Sequence, residues 1–128
     1  MPLEPSAIER GPLAQLYLTK RLALWQHRLQ LQKWTISLVS SHRSDLRPGT
    51  LGNIHWDSDS KTARIRVLDA ADYHTRFAVA IRDMEFTVVH ELIHLELASL
   101  PRSDASRSDE EYAVNQMAEA FLRLDRQE

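Results

Sequence analysis

Between Phe86 and Leu97 the chain carries apolar side chains around most of a helical circumference. Phe86, Val89, Ile93 and Leu97 fall at i, i+3, i+7 and i+11, and Val88, Leu92 and Leu95 widen that stripe. A helix of this kind has almost no wet face, so the rest of the fold must be built around it. Yet it holds three strongly polar groups, His90, Glu91 and His94, in the order His-Glu-Leu-Ile-His. Residues i and i+4 lie one turn apart with Cβ atoms about 5 to 6 Å from each other, so the two imidazoles share a face. Imidazoles in apolar surroundings need partners, and two nitrogens at this spacing can reach one zinc ion at about 2.0 to 2.1 Å each. Glu91 follows the first histidine, where its carboxylate can take a proton from a water activated by the metal and later give it to a leaving amine. The spacing therefore predicts a zinc-dependent peptidase site with His90 and His94 as metal ligands and Glu91 as general base.

Composition narrows the alternatives. At 128 residues the chain is expected to form one domain, 1–128, with a core that needs no disulfides. It has no cysteine, which removes thiolate metal sites and a nucleophilic thiol and leaves His, Asp and Glu as ligands. The 16 basic and 18 acidic residues leave a formal charge of -2, no footprint for nucleic acid or an anionic membrane. A peptide or protein substrate is the expected partner. Residues 1–11 carry Glu4 and Glu9 with two prolines instead of a basic start and an apolar block, and no apolar run approaches 18 residues. A cytoplasmic protein is the expectation.

The remaining pattern is α-β-β-β-α-α. Residues 12–31 read as a helix through Leu18, Leu22, Trp25 and Leu29, with Pro12 in its first turn. Residues 34–40, 51–57 and 62–69 read as strands. The last two are separated by a loop of hairpin length, 58–61, and Ala63, Ile65 and Val67 alternate with Arg64 and Arg66. His55 is expected on a strand surface, outside the site. Residues 72–100 are helical in pattern, long enough to be a short helix or loop followed by the His-Glu helix, with Asp83 as its N-cap and Pro101 at its end. A polar stretch, 102–108, leads to a last helix over 109–124 with Val114, Met117, Ala118, Phe121 and Leu122 inward. The fold class is α+β, a twisted sheet of three strands on two helices with a leading helix supporting the core.

A catalytic zinc site usually has three protein ligands. In the pattern H-E-x-x-H-x-x-G-x-x-H the third would be a histidine, but Leu97 stands at the glycine position and Leu100 at the last histidine. Downstream acids are Asp104, Asp109, Glu110, Glu111, Glu119 and Asp125. Of these, Glu110 and Glu111 open a helix whose apolar stripe would pack it against the first. Ser108-Asp109-Glu110-Glu111 is also a capping-box sequence, in which Glu111 would fold back on the backbone of Ser108.

With these residues the chain resembles the gluzincins, thermolysin-like H-E-x-x-H peptidases with a glutamate ligand on the next helix, and above all their minimal single-domain forms. It is similar too to phage and bacterial peptidases in which that Glu is followed four residues later by Asn, as Glu111 is by Asn115. The resemblance spans about residues 62–122. It implies a zincin-like fold, Glu111 as third ligand, and Asn115 as acceptor for a ligand histidine. It also implies an extended peptide laid along the strand before the helix, 62–68, by strand addition. Tyr73, His74, Tyr112 and the histidines outside the motif are candidate oxyanion helpers. Two rival readings remain: a metal-stabilised interaction module that does not cleave, and a regulatory peptidase dedicated to one protein. Glu91 speaks against the first, since a structural site has no use for a base.

Overall fold

The computed structural model describes residues 4–98 and 107–127. The elements are α1 (Ala7–Arg28), β1 (Thr35–Ser41), β2 (Gly52–Asp57), β3 (Thr62–Leu68), α2 (Phe77–Ala98) and α3 (Arg107–Gln127), with 3-10 turns at Arg43–Asp45 and Ala70–Asp72. The fold is α+β, three helices with an open, mixed, three-stranded sheet. The expected end of the second long helix at Pro101, the stretch 102–106 and the candidate acid Asp104 lie outside the described residues.

The leading helix starts earlier than its apolar stripe suggests. Ser6 is the N-cap and forms a capping box with Glu9: the Ser6 hydroxyl accepts from the Glu9 N–H, and the Glu9 carboxylate accepts from the Ser6 N–H. Pro12 therefore sits inside α1, not in its first turn. It lacks the N–H that would bond the Ile8 carbonyl. Both residues are exposed, so water can satisfy that oxygen.

The sheet order is β1-β3-β2, with β1 parallel and β2 antiparallel to β3. Ile65 lies between Leu38 and Ile54, and Arg64 between Ser37 and His55, so alternation puts one apolar face on the helices and leaves the other polar. This corrects the strand expected to receive a peptide. Residues 62–68 form the central strand, hydrogen-bonded on both sides, and the edges are β1 and β2.

α2 passes close to the sheet at Gly52. A Cβ there would collide with the Arg66 carbonyl oxygen and with the Thr87 side chain at 2.5 Å, so only glycine lets the helix lie this near the sheet edge. Overpacking of this kind costs about 1 to 3 kcal/mol. Gly52→Ala should lower the denaturant midpoint accordingly with helical circular dichroism retained, and an unchanged midpoint would show that helix and strand separate freely.

α2 runs unbroken from Phe77, so Asp83 lies within it and is not its cap. The Phe77 N–H is instead taken by the carboxylate of Glu4, which precedes α1. One apolar cluster joins Leu18 and Trp25 of α1, Ile65 and Val67 of β3, Val88, Val89 and Leu92 of α2, and Val114, Ala118 and Leu122 of α3. Within it lies a carboxylate. Glu85 is 2 % exposed and accepts from Tyr17 Oη at 2.8 Å, Arg21 Nε at 2.7 Å and Trp25 Nε1 at 2.7 Å. Arg21 also bonds Asp125 at 2.5 Å, and Asp125 takes Arg28 at 2.8 Å, so α1 grips α2 and α3 together.

Candidate metal centre

His90 and His94 are one turn apart on α2, on the side that faces the start of α3. Their Nε2 atoms are 3.2 Å apart. The Glu111 carboxylate lies across from both, 3.2 Å from Nε2 of His90 and 2.6 Å from Nε2 of His94. The other ring nitrogens are occupied. Nδ1 of His90 is 2.9 Å from Asn115 Oδ1, and Nδ1 of His94 is 3.4 Å from Glu110 Oε1. Both oxygens can only accept, so a hydrogen on each Nδ1 satisfies these outer contacts and leaves each Nε2 a lone pair turned inward, the tautomer a metal ligand needs.

In that tautomer two lone pairs and a carboxylate converge with no donor among them. A proton on His94 would satisfy the 2.6 Å contact alone, whereas a cation between the three groups satisfies all of them. Burial also works against protonation at His90, holding its imidazole below the usual range against the pull of Glu111 and Asn115, and a proton on neighbouring His94 would lower it further. For tetrahedral zinc with bonds of about 2.0 to 2.1 Å the two nitrogens should lie about 3.3 Å apart, close to the spacing seen. The donor set fits a divalent cation.

His90, Glu91 and His94 also form a tight triad, each offering a ligand atom within 4.8 Å of the others. This group can hold a metal ion. Glu91 and Glu111 are both placed to offer an oxygen to such an ion, and the Glu111 oxygens are the ones in contact with the inward nitrogens. Glu91 is the more enclosed, at 8 % exposure. Burial pushes its carboxyl up to about 7, His94 pulls it down, and the Glu111 charge adds to the rise. A cation beside it would lower it again.

The capping-box alternative for Glu111 does not match the geometry. α3 begins at Arg107, so Ser108 is inside the helix, and the Glu111 carboxylate is engaged by imidazoles. Glu110, weighed in the sequence as a rival ligand, faces the outer nitrogen of His94. Neighbouring helical residues point about 100° apart, so the two cannot both face the inward nitrogens. The other histidines are drawn elsewhere: His27 to Gln32 at 3.0 Å, His42 to Asp72 at 3.6 Å, and His55 is exposed on β2 as expected. His74 and Tyr112 are exposed, and Tyr73 packs against the core with its hydroxyl buried and without a hydrogen-bond partner. Sequence reasoning did not find Phe86 beside the site; its ring lies 6.1 Å from that of His90, and the i, i+4 spacing was the available signal.

Among the described residues no helix is long and apolar enough to cross a membrane. No family model, no curated protein and no solved structure matches the chain.

Proposed function

We propose that this chain is a small zincin-like zinc peptidase of the gluzincin type, with His90, His94 and Glu111 as ligands and Glu91 as the proton carrier. The observation that supports it most is the convergence of both Nε2 atoms and the Glu111 carboxylate, with Asn115 and Glu110 on the outer nitrogens. When bound there, zinc supplies Lewis acidity that polarises a peptide carbonyl and makes a water more acidic.

The chain's own residues do the rest. Asn115 and Glu110 fix the tautomer and tilt of the two imidazoles. Glu91, enclosed beside them, accepts a proton from the water as its oxygen attacks the carbonyl carbon. It returns that proton to the amide nitrogen as the C–N bond breaks, which gives one acid and one amine. Its carboxyl is raised by burial and lowered by nearby positive charge, so the balance of the two sets how readily it gives the proton back. An extended substrate has an edge strand to pair with in β2, unpaired on its outer side among the described residues and packed on α2 at Gly52.

Protein purified without chelator should contain a single zinc per chain by elemental analysis and lose it in the His90→Ala/His94→Ala double variant. Cleavage of a peptide library should vanish on chelation and return with zinc. Zinc content unaffected by the double substitution would overturn the site, and zinc bound without cleavage of any peptide or candidate protein would overturn the peptidase.

A further inference from the structure

One turn before His90, the N-terminal half of α2 and the C-terminal half of α3 enclose a groove of about 460 Å³. Val79, Phe86 and Leu122 give it apolar walls, and Arg82, Arg123 and Arg126 line it beside them. We propose that this groove selects the substrate, taking an acidic peptide segment whose apolar side chain enters between the two helices. The inference rests on the peptidase reading and adds to it the chemistry of what is cut.

Three observations carry it. The first is continuity. Phe86 belongs to both places, lining the groove while its ring lies 6.1 Å from that of His90, so a ligand that reaches Phe86 lies one helical turn from the first imidazole. The second is size: the volume falls in the range of about 300 to 1,000 Å³ typical of ligand sites, more than one side chain needs.

The third is charge. Arg10, Arg21 and Arg28 are each tied to a carboxylate, Glu4, Glu85 or Asp125. Arg82, Arg123 and Arg126 form no ion pair among the described residues. Asp83 and Glu119 also line the groove, so its balance is three positive groups to two negative on a chain whose formal charge is -2. Guanidinium groups recognise carboxylates through paired N–H donors, and their aliphatic stems extend the apolar wall. A peptide with an aliphatic or aromatic residue between glutamates or aspartates meets both requirements. A lysine-flanked one meets only the apolar part.

The test is fluorescence anisotropy with two labelled peptides of equal length, Glu-Glu-Leu-Glu-Glu and Lys-Lys-Leu-Lys-Lys. The protein is the full chain carrying Glu91→Gln, so that substrate is held and not consumed, measured with zinc and again after chelation. The acidic peptide should bind about tenfold tighter or more in both conditions, with the margin shrinking as salt is raised. Arg123→Glu/Arg126→Glu should reverse that preference and Arg123→Gln/Arg126→Gln should erase it. The three positions changed are two exposed helix sites and the general base, and circular dichroism checks that the fold is intact. Equal affinity for the two peptides, or a preference that persists in the charge-reversed protein, would overturn the groove as a selector. A preference that survives chelation while zinc-loaded wild type cuts no peptide of the library and no candidate protein keeps the groove and removes the peptidase. Cleavage indifferent to flanking charge keeps the peptidase and removes the groove.

Discussion

Glu91→Gln should leave a folded, zinc-loaded protein that turns substrate over about 10² to 10⁴ times more slowly, the usual worth of a positioned proton carrier. The separation of binding from turnover follows from the division of labour at the site. The Glu111 oxygens face the inward nitrogens, and Glu91 stands to one side, enclosed. Glutamine keeps the volume and the polar oxygen, so packing around position 91 survives, but it can neither accept the water's proton nor return it. Wild type and variant should be compared on a peptide library at matched zinc content. Equal cleavage by both would move the base to another residue. Loss of zinc in the variant would instead make Glu91 the third ligand and leave Glu111 without that role.

The second large effect lies away from the candidate metal centre. Glu85→Ala should destabilise the protein by about 3 to 5 kcal/mol, the range for breaking a buried charge pair by removing one partner. The cost exceeds that of one contact, because Tyr17, Arg21 and Trp25 all donate to this carboxylate and would be left facing a small apolar side chain. Denaturant unfolding followed by Trp fluorescence measures it, and a shift below 1 kcal/mol would mean that water replaces the carboxylate. The milder Glu85→Gln adds a local readout. Tyr17 is pushed up to about 12, mainly by burial and then by Glu85 through its hydrogen bond and its charge. Removing the charge should lower its alkaline titration part of the way toward the ordinary value. Because the folded value lies above the unfolded one, Tyr17 favours the native state fully below about 10, and that contribution disappears as pH rises toward about 12. Alkaline unfolding of the wild type should therefore begin in that window.

The two structures that could be read from the sequence were those written in short range. The His-Glu helix is apolar almost all round, and its two histidines are placed by helical period alone. The β2–β3 hairpin follows from a four-residue loop between alternating runs. What stayed hidden depended on distant partners. Nothing local places β1 beside β3, so the central strand was mistaken for an accessible one. Asp83 looked like the start of a helix because the true partner of the Phe77 N–H is Glu4, 73 residues earlier. The start of α1 was legible in Ser6-Ala7-Ile8-Glu9 but was masked by reading Pro12 as a first-turn residue. Glu110 and Glu111 are alike in sequence; only the approach of α3 to α2 assigns one to the outer nitrogen of His94 and the other to the inward pair.

Arg21 joins Asp125 across 104 positions of sequence, and that bond holds the same helix that brings Glu111 to the histidines. With the proposed ligand set, ion capture and α3 docking would be two readings of a single equilibrium. A chain with α3 detached still offers an i, i+4 pair of imidazoles, but only the docked form adds the carboxylate. Whatever factor docking adds to affinity, the ion must return to docking, because linked equilibria are reciprocal. Cobalt offered to the proposed site would give a coloured gauge of that motion. Weakening Asp125, far from the metal, should then fade the gauge in proportion to the fraction of undocked helix.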